Sequence, residues 1–299
     1  MSAGWSLEGR GDEIVLPDGP LAAVFLDLDD SVFQTRRKCP PGPLETATLD
    51  SQGRPSSYFG FGQRCLLELF SWRTLIVPTT ARDRAAFGRV KFDFRHGAIL
   101  NHGGLILRPD GEIEPVWQER MRPLCAEAGP LLAAVLDSAE RVMRHNNLNC
   151  RARIIGDAGL DFYVVVKSNE SRVEDLRTIL NEIKGSELGR QIRIDLNDNN
   201  LAFRPLFLDK AEAAAYFAEN LLPPNCRDLP TIGLGDGFSD LEFMRRCDFL
   251  LTPRGSQISS LLSAPEAIGS CSSEAPGFGG SSAGSAAFGT ASSEAEGET

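Results

Sequence analysis

A short apolar run near the start of the chain leads straight into three carboxylates. Ala23, Val24, Phe25 and Leu26 precede Asp27, Leu28, Asp29, Asp30 and Ser31. An apolar run without alternation suits a strand buried on both faces of a parallel sheet. Asp is disfavoured in strands and costly to bury unpaired. Either the strand ends in a solvated acidic turn, or a bound cation resolves the conflict. In the second case Asp27 and Asp29 could divide the labour, one as metal ligand and nucleophile, the other as proton carrier. Two further strand ends carry polar groups. Thr79, Thr80 and Arg82 follow Leu75, Ile76 and Val77, and Asp236 and Asp240 follow Ile232, Gly233 and Leu234. In a parallel sheet the strand C-termini gather at one edge. Carboxylates from the first and last sets could there hold Mg²⁺, which takes oxygen ligands. A hydroxyl and a lysine could hold phosphate oxygens. The chain has five lysines, and Lys210, at a helix start shortly before the third strand end, is the natural one.

The elements that must position these groups follow from periodicity. Residues 62–72 read as a helix and 74–78 as a second buried strand, which opens a βαβ pattern. Residues 34–60 form a long excursion directly after the acidic strand end, with a hairpin across 51–54, and loops at that edge commonly line a site. A short helix is expected over 83–90 and a third strand over 97–100. Residues 117–147 are helical, with a break expected at Gly129 and Pro130. Strand pairs follow at 150–155 with 160–166 and at 191–196 with 201–207, separated by a helix over 173–183. The α/β pattern then resumes with a helix over 210–222, a strand over 231–235, a helix over 239–246 and a final strand over 248–252. The expected architecture is α/β: a Rossmann-like three-layer core of residues 20–104 and 206–264, preceded by an N-terminal segment (1–19) and interrupted by an inserted α+β unit of residues 105–205.

Composition narrows the class. The chain has 299 residues, 42% of them hydrophobic, and a formal net charge of −10. No apolar run approaches membrane-span length, and the acidic N-terminus lacks the apolar stretch of a signal peptide. The mildly acidic body argues against a general nucleic-acid binder. Seven scattered cysteines without C-x-x-C spacing argue against a zinc or disulfide framework and suit a reducing cytosol. Residues 265–299, rich in Ser, Gly, Ala and Glu, read as a disordered tail.

The polar strand ends taken together resemble the four motifs of the haloacid dehalogenase superfamily. Asp27, Leu28, Asp29, Asp30, Ser31 and Val32 match D-x-D-x-[TSV]-[LV]. Thr80 matches the Ser/Thr strand end, and Thr80-Ala81-Arg82 is similar to the Thr-Gly-Arg of its sugar-phosphatase branches. Lys210 matches the third motif. Gly235, Asp236, Ser239 and Asp240 match G-D-x-x-[NS]-D. The large insert between the second and third motifs resembles the C2-capped type IIB branch, which includes sucrose-phosphate phosphatases, mannosyl-3-phosphoglycerate phosphatases and Cof-like enzymes.

That resemblance implies a Mg²⁺-dependent phosphatase acting on a small phosphorylated metabolite, a sugar phosphate or phosphoglycerate derivative, through an aspartyl-phosphate. It implies Asp27 as nucleophile and Asp29 as acid and base. Metal contacts would come from Asp27, the Asp29 main chain, Asp236 and Asp240, and phosphate contacts from Thr80, Arg82, Lys210 and Ser239. A phosphomutase or phosphonate-type hydrolase of the same superfamily, and a non-catalytic phosphometabolite-binding protein, are the alternatives. No nucleic-acid or membrane partner is expected.

Three features depart from the family pattern: Ala81 replaces its usual Gly, Ser239 its usual Asn, and the 34–60 loop is long for the branch. Arg151 and Arg153 share one face of a strand. They and Lys167 are either a solvated surface or a second anion contact. His102 is a candidate for the seam between core and insert.

Overall fold

The computed structural model describes residue 16 and residues 18–262, all within one compact unit spanning residues 1–263. The expected disordered tail therefore lies outside the described residues.

The chain opens with β1 (Ala22–Leu26), buried along its whole length. The excursion after it is a small antiparallel sheet of β2 (Gln34–Thr35), β3 (Leu44–Leu49) and β4 (Pro55–Gly60), in the order β2-β4-β3. Helix α1 (Phe61–Arg73) returns to β5 (Thr74–Pro78), α2 (Arg84–Phe87) follows, and β6 (Ala98–Leu100) pairs with β7 (Leu105–Leu107) as a hairpin. The expected third core strand is thus one arm of a hairpin, joined to the segment after β5 by a parallel bridge between Thr79 and Ile99.

The long helix α3 (Pro115–His145) runs unbroken through Pro123 and Pro130. The break expected at Gly129 and Pro130 is absent. A proline inside a helix costs roughly 3 kcal/mol, but tertiary packing can hold the helix through it. Trp117, Met121, Cys125, Ala128, Leu132, Val135 and Ala139 recur at spacings of three and four and are all buried. Trp117, Met121 and Cys125 belong to the core cluster, whereas Leu132, Val135 and Ala139 pack in the cluster of the inserted unit. One continuous apolar stripe therefore ties both clusters together, and its burial outweighs the missing hydrogen bonds.

The inserted unit continues as β8 (Cys150–Asp157), β9 (Leu160–Ser168), α4 (Val173–Lys184), β10 (Ile192–Asn197) and β11 (Asn200–Pro205). Its strands form an antiparallel sheet in the order β10-β11-β9-β8. Then come α5 (Lys210–Asn220), β12 (Thr231–Leu234), α6 (Leu241–Met244), β13 (Phe249–Leu251) and α7 (Gln257–Leu262).

The central sheet has the order β13-β12-β1-β5, all parallel. Leu26 lies in register with both Leu234 and Pro78, so Asp27, Thr79 and Gly235 leave the sheet at one level. Among the described residues no helix is long and apolar enough to cross a membrane.

Candidate active site

Asp27 follows β1 directly and is buried. Its main chain stays in the sheet, where its N–H donates to the Leu234 carbonyl at 2.8 Å. Two side chains complete its environment. Lys210 Nζ donates to Asp27 Oδ1 at 2.7 Å, and Ser31 Oγ lies 3.1 Å from Asp27 Oδ2 and 3.3 Å from Asp236 Oδ1.

Lys210 arrives from α5, where Asp209 caps the helix by accepting from the Ala211 N–H at 2.7 Å. Gly103, at φ +94°, allows this approach, because a side chain there would overlap the Asp209 carbonyl. A second carboxylate fixes the ammonium: Lys210 Nζ donates to Asp240 Oδ1 at 2.6 Å. The other Asp240 oxygen accepts from the Gly237 N–H at 3.0 Å. Gly235 makes the tight turn possible, since a Cβ there would stand 2.5 Å from the Cβ of Asp240. Both Asp240 oxygens are thus occupied, and its main action is to hold Lys210.

The electrostatics of this knot are unbalanced. Oxygens of Asp27, Asp236 and Asp240 lie within 4.8 Å of one another, and one ammonium faces these three buried carboxylates. Burial, and then the Asp240 charge, push the Asp27 carboxyl well above its usual range. Burial, followed by Asp240 and Asp30, raises Asp236 to about 7. Burial alone would lower the Lys210 ammonium, yet Asp240 and Asp27 outweigh it and raise its pKa. A set of hard oxygen donors short of positive charge fits a divalent cation such as Mg²⁺.

Asp29 is held differently. Arg82 donates from Nε to Asp29 Oδ2 and from Nη2 to Asp29 Oδ1, both at 2.7 Å. The remaining nitrogen, Nη1, donates to the Ala86 carbonyl at 3.3 Å. Arg82, expected at the phosphate, thus places its fork on the carboxylate expected to carry protons. Thr80 is buried at the end of β5, and its Oγ1 accepts from the Arg82 N–H at 3.2 Å. Ser239 is partly buried on the short 3₁₀ turn Phe238–Asp240 and shows no side-chain hydrogen bond to the described residues.

Sequence reasoning missed two features. Ser31, visible only as a motif position, sits between Asp27 and Asp236. Asp30, at φ 63°, accepts from Lys38 Nζ at 2.6 Å and from Asn197 Nδ2 at 3.3 Å. Arg37 reaches Asp198 at 2.6 Å. The excursion after β1 is therefore tied to the β10–β11 turn of the inserted unit. Runs of charge in the sequence do not reveal which of their members meet.

His102 lies at the seam, as the sequence suggests. It is buried, adopts φ 56°, and meets the Tyr163 ring edge-on at 5.0 Å. Burial, then Arg204 and Lys210, hold its imidazole well below the ordinary value of 6.5. Neither of its ring nitrogens, nor either polar atom of the buried Asn101 side chain, has a hydrogen-bond partner among the described residues.

No protein-family model matches the chain, and no curated protein matches it in sequence. Solved structures do resemble it. A sucrose-phosphatase from Synechocystis sp. PCC6803, in complex with sucrose and phosphate, is 15% identical, covers 81% of this chain and 86% of its own, and has a TM-score of 0.49. The C-terminal domain of trehalose-6-phosphate phosphatase from C. albicans is 14% identical, with coverage of 75% and 73% and a TM-score of 0.47. A haloacid dehalogenase-like hydrolase from B. subtilis is 12% identical, with coverage of 77% and 94% and a TM-score of 0.43.

Proposed function

We propose that the chain is a phosphatase of the haloacid dehalogenase superfamily, acting with Mg²⁺ on small phosphate monoesters of the sugar-phosphate or phosphoglycerate kind. The observation that carries this reading is the buried knot in which Lys210 joins Asp27 to Asp240 beside Asp236. These residues come from three separate segments of the chain, and no packing need accounts for three buried carboxylates around one ammonium.

The residues that would hold the metal are Asp27, Asp236 and the main-chain carbonyl of Asp29, with Asp240 behind them. When bound, Mg²⁺ supplies the positive charge that lets a phosphate dianion approach two carboxylates.

In the first step an Asp27 oxygen attacks phosphorus. The P–O bond to the leaving alcohol breaks, and Asp29 donates the proton that alcohol needs. In the second, Asp29 takes a proton from water, the water oxygen attacks the phosphorus of the aspartyl-phosphate, and inorganic phosphate leaves with Asp27 restored. Lys210 and Thr80 stabilise the equatorial oxygens of the transferring phosphoryl. In the structure Arg82 occupies both Asp29 oxygens. Delivery of a proton to the leaving oxygen requires one of them to be released and to take up a proton from solvent first, so entry of the ester has to loosen that pair.

The inserted unit, residues 105–205, acts as a cap, excluding water and choosing the leaving group. The six described cysteines are all free thiols, which suits a cytosolic setting. The test is phosphate release from a panel of phosphorylated metabolites with and without Mg²⁺. Release that requires the metal supports the reading. Isomerised product without free phosphate would replace it with a mutase.

A further inference from the structure

The two faces of the cap sheet do different work. One carries Val164, Val166, Leu201 and Phe203, which pack with residues of α3 and α4. The other is turned toward the core, where Tyr163, Val165 and Ala202 join the core cluster and Tyr163 Oη donates to the Ala81 carbonyl at 3.0 Å.

Strand periodicity places Tyr163, Val165 and Lys167 in one row on that second face. Antiparallel register adds two arginines, because Arg151 pairs with Lys167 and Arg153 with Val165, and directly opposed residues share a face. The row thus begins at the second-motif strand end and continues as a basic patch.

The charges on this face fall into two groups. Arg204 is paired with Asp195, and Arg193 with Asp209 and Glu242. The side chains of Lys167 and Arg153 have no hydrogen bond or ion pair among the described residues, and that of Arg151 bonds only the neutral Asn169 amide. Lys167 is partly buried. It lies within electrostatic reach of Asp29 and Arg82 as well as of Arg151 and Arg153. Burial and the three arginines pull its ammonium down, against the opposing pull of Asp29. Asp29, the carboxylate that acts on Lys167, is already matched by Arg82 on both oxygens. A partly buried ammonium without a partner is unfavourable until an anion supplies one.

The position of the patch defines which part of a substrate would meet it. The transferring phosphoryl belongs beside Asp27 and Lys210, and Asp29 belongs beside the leaving oxygen. Lys167 lies within electrostatic reach of Asp29, with Arg153 beside it on the neighbouring strand, so the pair is placed toward the leaving group. We infer that Lys167 and Arg153 of the cap form a second anion subsite, and that the preferred substrate is a phosphate monoester whose leaving alcohol carries its own carboxylate or second phosphate. This rests on the phosphatase reading for its orientation, while the subsite itself is read by binding alone.

The test uses the full-length Asp27→Asn protein with Mg²⁺, which holds an ester without turning it over. Calorimetry compares two ligand pairs, each differing in the second anion: 3-phosphoglycerate against glycerol 3-phosphate, and fructose 1,6-bisphosphate against fructose 6-phosphate. The doubly anionic member of at least one pair is expected to bind roughly tenfold tighter or more, the scale of one charge-assisted contact. The pair that shows the preference tells carboxylate from phosphate.

Adding Lys167→Met with Arg153→Gln should bring that ratio to within about twofold, whereas Lys167→Arg should keep it. Ratios near one in both pairs, or a preference that survives the double substitution, would overturn the subsite. A preference in binding with no hydrolysis by the wild-type protein would leave the subsite standing and reject the phosphatase reading.

Discussion

Arg82 and Asp29, 53 positions apart in sequence, form a two-pronged ion pair with both contacts at 2.7 Å. The guanidinium also lies 5.1 Å over the Phe33 ring and donates to the Ala86 carbonyl. On the proposed mechanism this pair makes Arg82 a positioning residue that aims the proton carrier. Arg82→Gln should lower kcat about 10- to 100-fold with little change in KM, and Arg82→Lys should fail to restore it, because an ammonium cannot reproduce the fork. Steady-state kinetics on any accepted ester decide this. A rise in KM at constant kcat would return Arg82 to the phosphate site.

Lys210 stands between Asp27 and Asp240, all three side chains buried. Lys210→Met removes the only cation among the described residues in direct contact with either carboxylate and should cost about 3–5 kcal/mol of unfolding free energy, along with the activity. Adding Asp240→Asn should recover part of the stability and none of the turnover. Urea denaturation of the two variants provides the comparison. A Lys210→Met protein as stable as wild type would show that the knot is not electrostatically strained.

Asp236 supplies a pH dependence. Its folded pKa of about 7 lies above the ordinary 3.8. The folded, metal-free protein therefore keeps a proton that the unfolded chain releases. That contribution to stability is complete below pH 3.8 and fades as the pH rises through about 7. Mg²⁺ competes with the same proton, so the gain in Tm on adding Mg²⁺ should be small near about pH 5 and grow toward about pH 8. Thermal denaturation in MgCl₂ and in EDTA across this range measures it. A gain independent of pH would contradict Asp236 as a ligand.

Lys38 joins the excursion after β1 to Asp30 at 2.6 Å and to Asp198 of the cap turn at 3.5 Å. These contacts are partly exposed and contribute at most about 1 kcal/mol to global stability. Lys38→Ala should leave Tm nearly unchanged, yet speed proteolytic cleavage within residues 34–60 several-fold, because local opening is governed by local contacts. Limited proteolysis of the native protein reads it directly.

Much of the site was legible because burial and charge conflict in the sequence itself. Residues 23–26 lead into Asp27, and residues 232–234 into Gly235 and Asp236; each strand end announces a cluster that only convergence can explain. The strand and helix pattern of the core and of the inserted unit was legible because one-sided burial leaves period 2 or period 3.6 in the sequence, while short unbroken apolar runs mark strands buried on both faces.

What stayed hidden was pairing between distant side chains. Arg82 with Asp29, Lys38 with Asp30, and Ser31 between two carboxylates depend on three-dimensional register that no local spacing encodes. The unbroken α3 was hidden because the local penalty at Pro130 is visible in sequence, whereas the two clusters that hold the helix together exist only after folding.

The central claim is that Asp27 attacks phosphorus. It is tested most directly by phosphate release from an accepted ester in Mg²⁺, comparing wild type with Asp27→Asn. The account predicts metal-dependent release by wild type and a loss of roughly a thousandfold or more in the variant, with Tm unchanged or raised because a buried, repelled carboxylate is gone. An Asp27→Asn protein that releases phosphate at a near-normal rate would contradict it.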